Sequence, residues 1–365
     1  MKARLEVRRI FFQKSCVAFT KSLFNKIFLS LRILESVWAV TSVDKVLYLS
    51  KTDVEKLDIH MKAVINVVEE AFRQKAEGKA EVPPKPGIHP QKDAFIHAMP
   101  AYLPSMGSAG VKWVSGFPEN PKRGLPYISG LLILNDTNTG FPISIMDCTW
   151  ITAKRTGAAT AVAAKYLARE DSKTLGILGC GVQGRSNLEA LVVACKCLEE
   201  VRAFDVKKES LQKYVTEMTA KYGLRIIATE SPKKAVENCD IVVTAGPILK
   251  RPRPVIETSW FMDGGFACPL DFDSYWTTEA MHSMDKFCTD DKEQLAYYKA
   301  QGYFSSIPRV HAELSEIISG RKRGRENSAE RIMSMNLGLA IEDMATAMLV
   351  YKSAKKAGVG LLLPL

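Results

Sequence analysis

The 365-residue sequence has no CxxC pair, no HExxH and only five histidines, so nothing in it spaces ligands as a zinc site requires and no metal is expected. Its eight cysteines (Cys16, Cys148, Cys180, Cys195, Cys197, Cys239, Cys268, Cys288) form no compact framework. That excludes a disulfide scaffold and points to free thiols in a reducing, cytoplasmic compartment. Long apolar runs are missing as well. Lys14, Lys21, Lys26 and Arg32 interrupt each candidate span near the N-terminus, so no stretch of about 20 apolar residues can cross a membrane. No short apolar core with a small-residue cleavage site marks a secretory signal. Basic stretches interleaved with aromatics are absent too, which argues against nucleic acid as a partner.

What the chain does have is an ordinary globular composition, 47% hydrophobic and 25% charged, at a length that suggests two structural units. Its net charge of +10 is uneven: residues 1–43 hold eight Lys or Arg against two Glu, a surplus of +6. That segment is basic and apolar at helical spacing, which leaves three readings: an extension from a start codon placed upstream of Val43, an interfacial amphipathic helix, or an organelle-targeting sequence. A second basic run, "GRKRGR" at 320–325, reads as a solvated loop tip.

The remainder divides by pattern. In residues 44–170 a short strand, a helix capped by Thr52 or Asp53 and running to about residue 76, and the strands "FIHAMPAYL", "AGVKWVSG", "SGLLILND" and "PISIMD" make an α+β domain. A long Ala-rich helix, "TAKRTGAATAVAAKYLA", follows. Over residues 171–300 apolar strands alternate with helices, the signature of an α/β, doubly wound parallel sheet of the Rossmann type. The segment 301–365 is expected to return to the first domain, with "AERIMSMNLGLAIEDMATAMLVYKSAKKAG" as one long helix.

Within the alternating region, "TLGILGCGVQGRSN" sets Gly179, Gly181 and Gly184 between an apolar strand and a helix. In such a turn the first glycine makes the bend, the second lets the backbone approach a pyrophosphate, and the third allows close helix packing. The helix N-terminus adds unpaired N–H groups and a partial positive charge. Asp205 ends the next strand, 21 residues after Gly184, where a carboxylate accepts both ribose hydroxyls and repels a 2′-phosphate. NAD is therefore expected over NADP, with Lys207 and Lys208 close enough to soften the preference.

Three groups are candidates for the chemistry. Lys154 and Arg155 stand in the first turn of a helix, where cations are disfavoured unless an anion sits beside them; a solvated charged turn is the alternative. Lys112, between Val111 and Trp113, is either an edge-strand lysine facing water or a buried proton-transfer group. Asp263, Asp271 and Asp273 lie in "FMDGGFACPLDFDSYW", which follows what reads as the fifth parallel strand. Ligands of such sheets bind at strand carboxyl ends, though loop aspartates are commonly turn formers.

Taken in order, "MPAYL", "GVKWVSGFPEN", "LILNDTNTGFPISIMD", "ITAKRTGAATAVAAKYLA", "GILGCGVQGRSNLEAL" and "MNLGLAIEDMATA" resemble the ornithine cyclodeaminase/mu-crystallin family over residues 46–355. The resemblance implies a homodimer whose terminal portions form a substrate and dimerisation domain around a Rossmann domain. It also implies hydride transfer between the nicotinamide and Cα of a small amino acid, through an imine. By motif, Lys112 matches the pocket lysine that binds carboxylate and handles protons, and Arg155, followed by Thr156, matches the arginine beside the cofactor phosphates. Val182, Gln183, Gly184, Asp205, Gly246 and Asn336 match cofactor contacts, and Leu337 falls beside the substrate.

Three departures shape the expected reaction. Lys85 stands where cyclodeaminases carry an arginine, His97 where they carry a glutamate, and Phe266 after Gly264-Gly265 where they place a catalytic aspartate. Asp271 is the nearest replacement. The expected activity is therefore an NAD-dependent amino-acid dehydrogenase or imine reductase. Alternatives are ornithine cyclodeaminase, which makes proline and ammonia while recycling NAD, and a mu-crystallin-like small-molecule binding protein.

Overall fold

The computed structural model describes residues 45–365; the basic N-terminal segment and its three readings lie outside the described residues. The described residues divide into a unit spanning Leu47–Leu361, which carries the features below, and the remaining Lys45, Val46 and Leu362–Leu365. After strand β1 (Lys45–Leu49), Ser50 rather than Thr52 or Asp53 caps helix α1 (Lys51–Lys56). Its hydroxyl accepts the Asp53 N–H while the Asp53 carboxylate accepts the Ser50 N–H, so the aspartate is the reciprocal half of a capping box. The expected single helix is two, because Asp58 takes a φ of 45° and α2 begins afresh at Met61–Ala76.

Strands β2 (Gly87–Ile88), β3 (Phe95–Leu103), β4 (Ser108–Gly116), β5 (Ile128–Asn135) and β6 (Pro142–Asp147) lie in the order β1-β6-β5-β4-β3-β2, antiparallel except for the parallel β1–β6 pair. Strand alternation sorts the side chains. Met99, Leu103, Val114, Leu132 and Leu134 are buried on one face. In register between Met99 and Leu132, on that same inward face, stands Lys112. It is thus central and fully buried, and the solvent-facing reading is excluded. On the opposite face Trp113 pairs with Leu131, and both are exposed.

The Ala-rich helix α3 (Thr149–Leu167) leads into the second sheet. Its strands are β7 (Thr174–Leu178), β8 (Glu200–Phe204), β9 (Arg225–Ala228), β10 (Ile241–Thr244), β11 (Phe266–Pro269), β12 (Lys286–Thr289), β13 (Val310–Glu313) and β14 (Ile332–Met335). They run parallel in the order β9-β8-β7-β10-β11-β14-β12-β13. Helix α4 (Val182–Ala194) packs on α3. Small residues allow that approach: a Cβ on Gly157 would meet the Ser186 carbonyl oxygen at 2.5 Å.

Three expectations fail here. "FMDGGFACPLDFDSYW" does not follow the fifth parallel strand but contains it, because Phe266 to Pro269 are all buried between β10 and β14. The C-terminal stretch is not one helix: Ile332–Met335 fill the slot between β11 and β12 as a strand, and sheet pairing overrides the helical spacing. Helix α5, Ala340–Ala357, starts only after Gly338, whose φ is 79°. Consequently the segment 301–365 returns to the first domain only in part: β13 and β14 extend the parallel sheet, while the helix Leu314–Ile318 packs on α2 and α5 packs on α2, β3 and β4. The basic run is also less solvated than expected: Arg325 donates to the carbonyl oxygens of Leu167, Gly265 and Glu330.

Candidate active site

The glycine turn is built from backbone. Gly179 has a φ of 101°, and a Cβ there would meet the Ala245 carbonyl oxygen at 2.5 Å. A Cβ on Gly184 would collide with the Gly179 carbonyl oxygen, so its absence lets α4 close on the turn. Gly181 differs: nothing lies within 4 Å of its Cβ position. Gly181 is also the N-cap of α4 and supplies no side-chain cap, so the first N–H groups of the helix are left for an anion. Val182 beside it is exposed. At the carboxyl end of β8, Asp205 is fixed by the N–H groups of Cys180 and Lys207, each at 2.8 Å.

Other polar groups converge on this turn. Gln183 Nε2 reaches the Thr152 carbonyl oxygen at 3.5 Å, while Gln183 Oε1 and Thr152 Oγ1 are buried without a hydrogen-bond partner among the described residues. The Thr156 hydroxyl is spent inside its helix, donating to the Thr152 carbonyl oxygen at 2.8 Å. Asp271 accepts from Thr244 Oγ1 at 2.6 Å and from the Gly246 N–H at 2.7 Å, and burial pushes its carboxyl up to about 7. Open backbone at Gly181, orphaned polar atoms at its side and a carboxylate at the next strand end suit a dinucleotide.

A second group is built from side chains. Lys112 Nζ donates to Asp343 Oδ1 at 2.7 Å, and both residues are fully buried. Arg155 Nη1 donates to Glu342 Oε2 at 2.8 Å, and its Nε lies 3.1 Å from Asp343 Oδ1, too poorly aligned for a hydrogen bond. Asp343 Oδ2 has no hydrogen-bond partner among the described residues. Lys85 Nζ donates to the carbonyl oxygens of Leu337 at 2.6 Å and Gly338 at 3.0 Å. Burial, reinforced by Arg155, makes the Lys85 and Lys112 ammonium groups easier to deprotonate. Burial also opposes the Arg155 charge, but Asp343 and Glu342 overrule it and hold the guanidinium protonated.

Lys85, Lys112, Arg155 and Leu337 thus come together, and Gly179 to Gly184, Asp205, Gly246 and Asp271 form the other group. His97 borders the first group, stacked on Phe95 with ring centroids 4.3 Å apart; burial and Lys85 push it down to about 3, so it stays neutral. Asn336 is buried, accepting from Ser334 Oγ at 2.8 Å and pointing its amide at Cys268 Sγ. Asp271 makes no hydrogen bond to the lysines, both its oxygens being taken on the other side. Asp263 is an exposed partner of Arg331, and Asp273 is buried with Oδ2 on the Ser305 N–H.

Sequence reasoning missed Asp290, Glu342 and Asp343. A signal was present: Glu342 and Asp343 interrupt the apolar run "LGLAIEDMATAM", and three cations placed in one core demand buried carboxylates. Among the described residues no group of three or more His, Cys, Asp or Glu is arranged to hold a metal ion.

The model of the ornithine cyclodeaminase/mu-crystallin family matches residues 44–358. The chain belongs to this family. An alanine dehydrogenase of Archaeoglobus fulgidus is 39% identical over 323 residues, covering 86% of this chain and 97% of that protein. The structure of Thermococcus litoralis Δ1-pyrroline-2-carboxylate reductase in complex with NADH and L-proline is similar with a TM-score of 0.79 at 39% identity, over 86% of this chain and 99% of that one. An archaeal alanine dehydrogenase dimer with bound NAD gives a TM-score of 0.78 at 36% identity, over 88% and 99%.

Proposed function

We propose that this family member is an NAD-dependent oxidoreductase exchanging hydride between the cofactor and Cα of an α-amino acid or its imine. The observation that carries the reading is the buried Lys112–Asp343 pair beside two further cations, in a fold whose glycine turn suits the dinucleotide. NAD held at that turn supplies the hydride acceptor, and its reduced form the donor. Lys85 Nζ, whose hydrogen bonds among the described residues are to two carbonyl oxygens, receives the substrate carboxylate beside Leu337. Lys112 Nζ moves the proton of the substrate nitrogen, its ammonium made more acidic by burial. Asp343 Oδ1 positions it, and the unpartnered Oδ2 is the acceptor left for a substrate N–H. Asp205 favours NAD over NADP, and Asp271 holds Gly246 at the cofactor side.

Cyclodeamination is disfavoured at one position: Phe266, where that reaction calls for an acid, opens β11 inside the core. A homodimer is supported by the apolar outer face of the first sheet, where Trp113 lies opposite Leu131 and Val111 opposite Ile133. A cytoplasmic site is supported by the free thiols of the seven described cysteines. The test is purified protein with NAD and a panel of amino acids, following NADH and ammonia together. Net NADH is expected. Proline and ammonia from ornithine without net NADH would replace this reading by the cyclodeaminase one, and silence in both with ligand binding would leave a binding protein.

A further inference from the structure

Asp290, which follows β12, is fully buried and lies on the far side of one peptide from Lys85. Its Oδ2 accepts the Gly338 N–H at 2.7 Å, while the Leu337 carbonyl oxygen of that same peptide accepts from Lys85 Nζ at 2.6 Å. Gly338 is also the floor under Arg155: a Cβ there would overlap Nη1 of the guanidinium. Its φ of 79° is a conformation that other residues rarely adopt, and the carboxylate behind it ties that backbone down. One short turn therefore holds Lys85 and lies against Arg155, with Asp290 on its Gly338 N–H and Glu342 Oε1 on the N–H of the following Leu339.

We propose that Asp290 is a positioning residue of the substrate site: from behind the Leu337–Gly338 peptide it sets Lys85 and Arg155 in place, and its charge keeps the Lys85 ammonium ready for a carboxylate. This rests on the reading of the cluster as the substrate site. The groups facing Lys85 are Arg155, Lys112, Asp343, Asp290, His97 and the Tyr298 ring 5.2 Å away; those facing Asp290 include Glu342, Arg155 and Tyr298. Burial and Arg155 push the Lys85 ammonium toward losing its proton and Asp290 opposes them, while burial and Glu342 raise the Asp290 carboxyl itself.

The test compares wild type with Asp290→Asn, which keeps an oxygen for the Gly338 N–H but loses the charge, using calorimetric binding of propionate to the NADH-saturated protein. Propionate offers the carboxylate without the amine, so the readout does not depend on turnover. In Asp290→Asn, Kd at pH 8 is expected to rise about tenfold, because a lysine without its facing carboxylate gives up its proton more readily, and the difference to close at pH 6. Asp290→Glu should recover most of the affinity. An unchanged Kd at both pH values, or an equal rise at both, would overturn the proposal. Should Asp290→Asn fail to fold, Asp290→Glu still decides: moving the charge should shift the pH at which propionate affinity falls off, and a pH profile identical to wild type would overturn the proposal. Absence of propionate binding to wild type at any pH would instead defeat the reading of the cluster as a carboxylate site.

Discussion

The glycine turn and the buried charge cluster lie in one chain and are made of opposite materials. The turn is backbone: it works by what Gly179, Gly181 and Gly184 leave out, carries no net charge of its own, and opens to solvent at Val182. The cluster is side chains: Lys85, Lys112 and Arg155 set against Asp290, Glu342 and Asp343, drawn from a loop, β4, α3, the end of β12 and the first turn of α5, all buried. A backbone cradle tolerates any anion that fits its N–H groups. A buried cluster is interdependent, because removing one charge strands its partner in a low-dielectric core.

The sharpest way to break that contrast is Lys112→Ala. It leaves Asp343 uncompensated, so we expect a stability loss of roughly 3–5 kcal/mol by denaturant unfolding. Turnover should fall by about 10³-fold, while NAD binding changes little. Lys112→Met with Asp343→Leu should regain most of the stability and none of the activity. Within the turn, Gly184→Ala should cost about 1–3 kcal/mol because its methyl meets the Gly179 carbonyl. Gly181→Ala should leave the melting temperature almost unmoved yet weaken NAD about tenfold, since its methyl enters open space needed by the ligand.

On the side of the turn, the Asp271 carboxyl, raised to about 7 by burial, gives a pH signature. A carboxyl whose folded value is raised binds its proton more tightly in the native state, so it favours folding at low pH. That contribution is lost as pH climbs from about 4 toward 7. Asp271→Asn should therefore gain on wild type by up to about 1.4 kcal/mol per pH unit across that window, measured as unfolding free energy. The smallest expected effect is Asp205→Ala, narrowing the preference for NAD over NADP by about tenfold in steady-state kinetics.

The backbone region was legible in advance because glycine spacing is local. A strand, a turn and a helix N-terminus within 14 residues carry their own geometry, and Asp205 is one strand away. Lys112 was half legible: its inward register between Met99 and Leu132 depends on pairing partners that no local pattern names. The carboxylates were missed because acids in the first turn of a helix already have an ordinary explanation in the helix dipole, and Asp290 becomes informative only once Gly338 folds against it. The same limit hid β14, where sheet pairing outweighs the helical spacing of Ile332 to Met335.

The central claim is that these two regions form one site that exchanges hydride with Cα. The direct measurement uses NADH deuterated at the transferable position of the nicotinamide, with Δ1-pyrroline-2-carboxylate or with pyruvate and ammonium as acceptor, and mass spectrometry of the amino-acid product. One deuterium at Cα with stoichiometric loss of NADH is expected. Product without deuterium at Cα, or ornithine consumed with ammonia released and no net change in NADH, would contradict it.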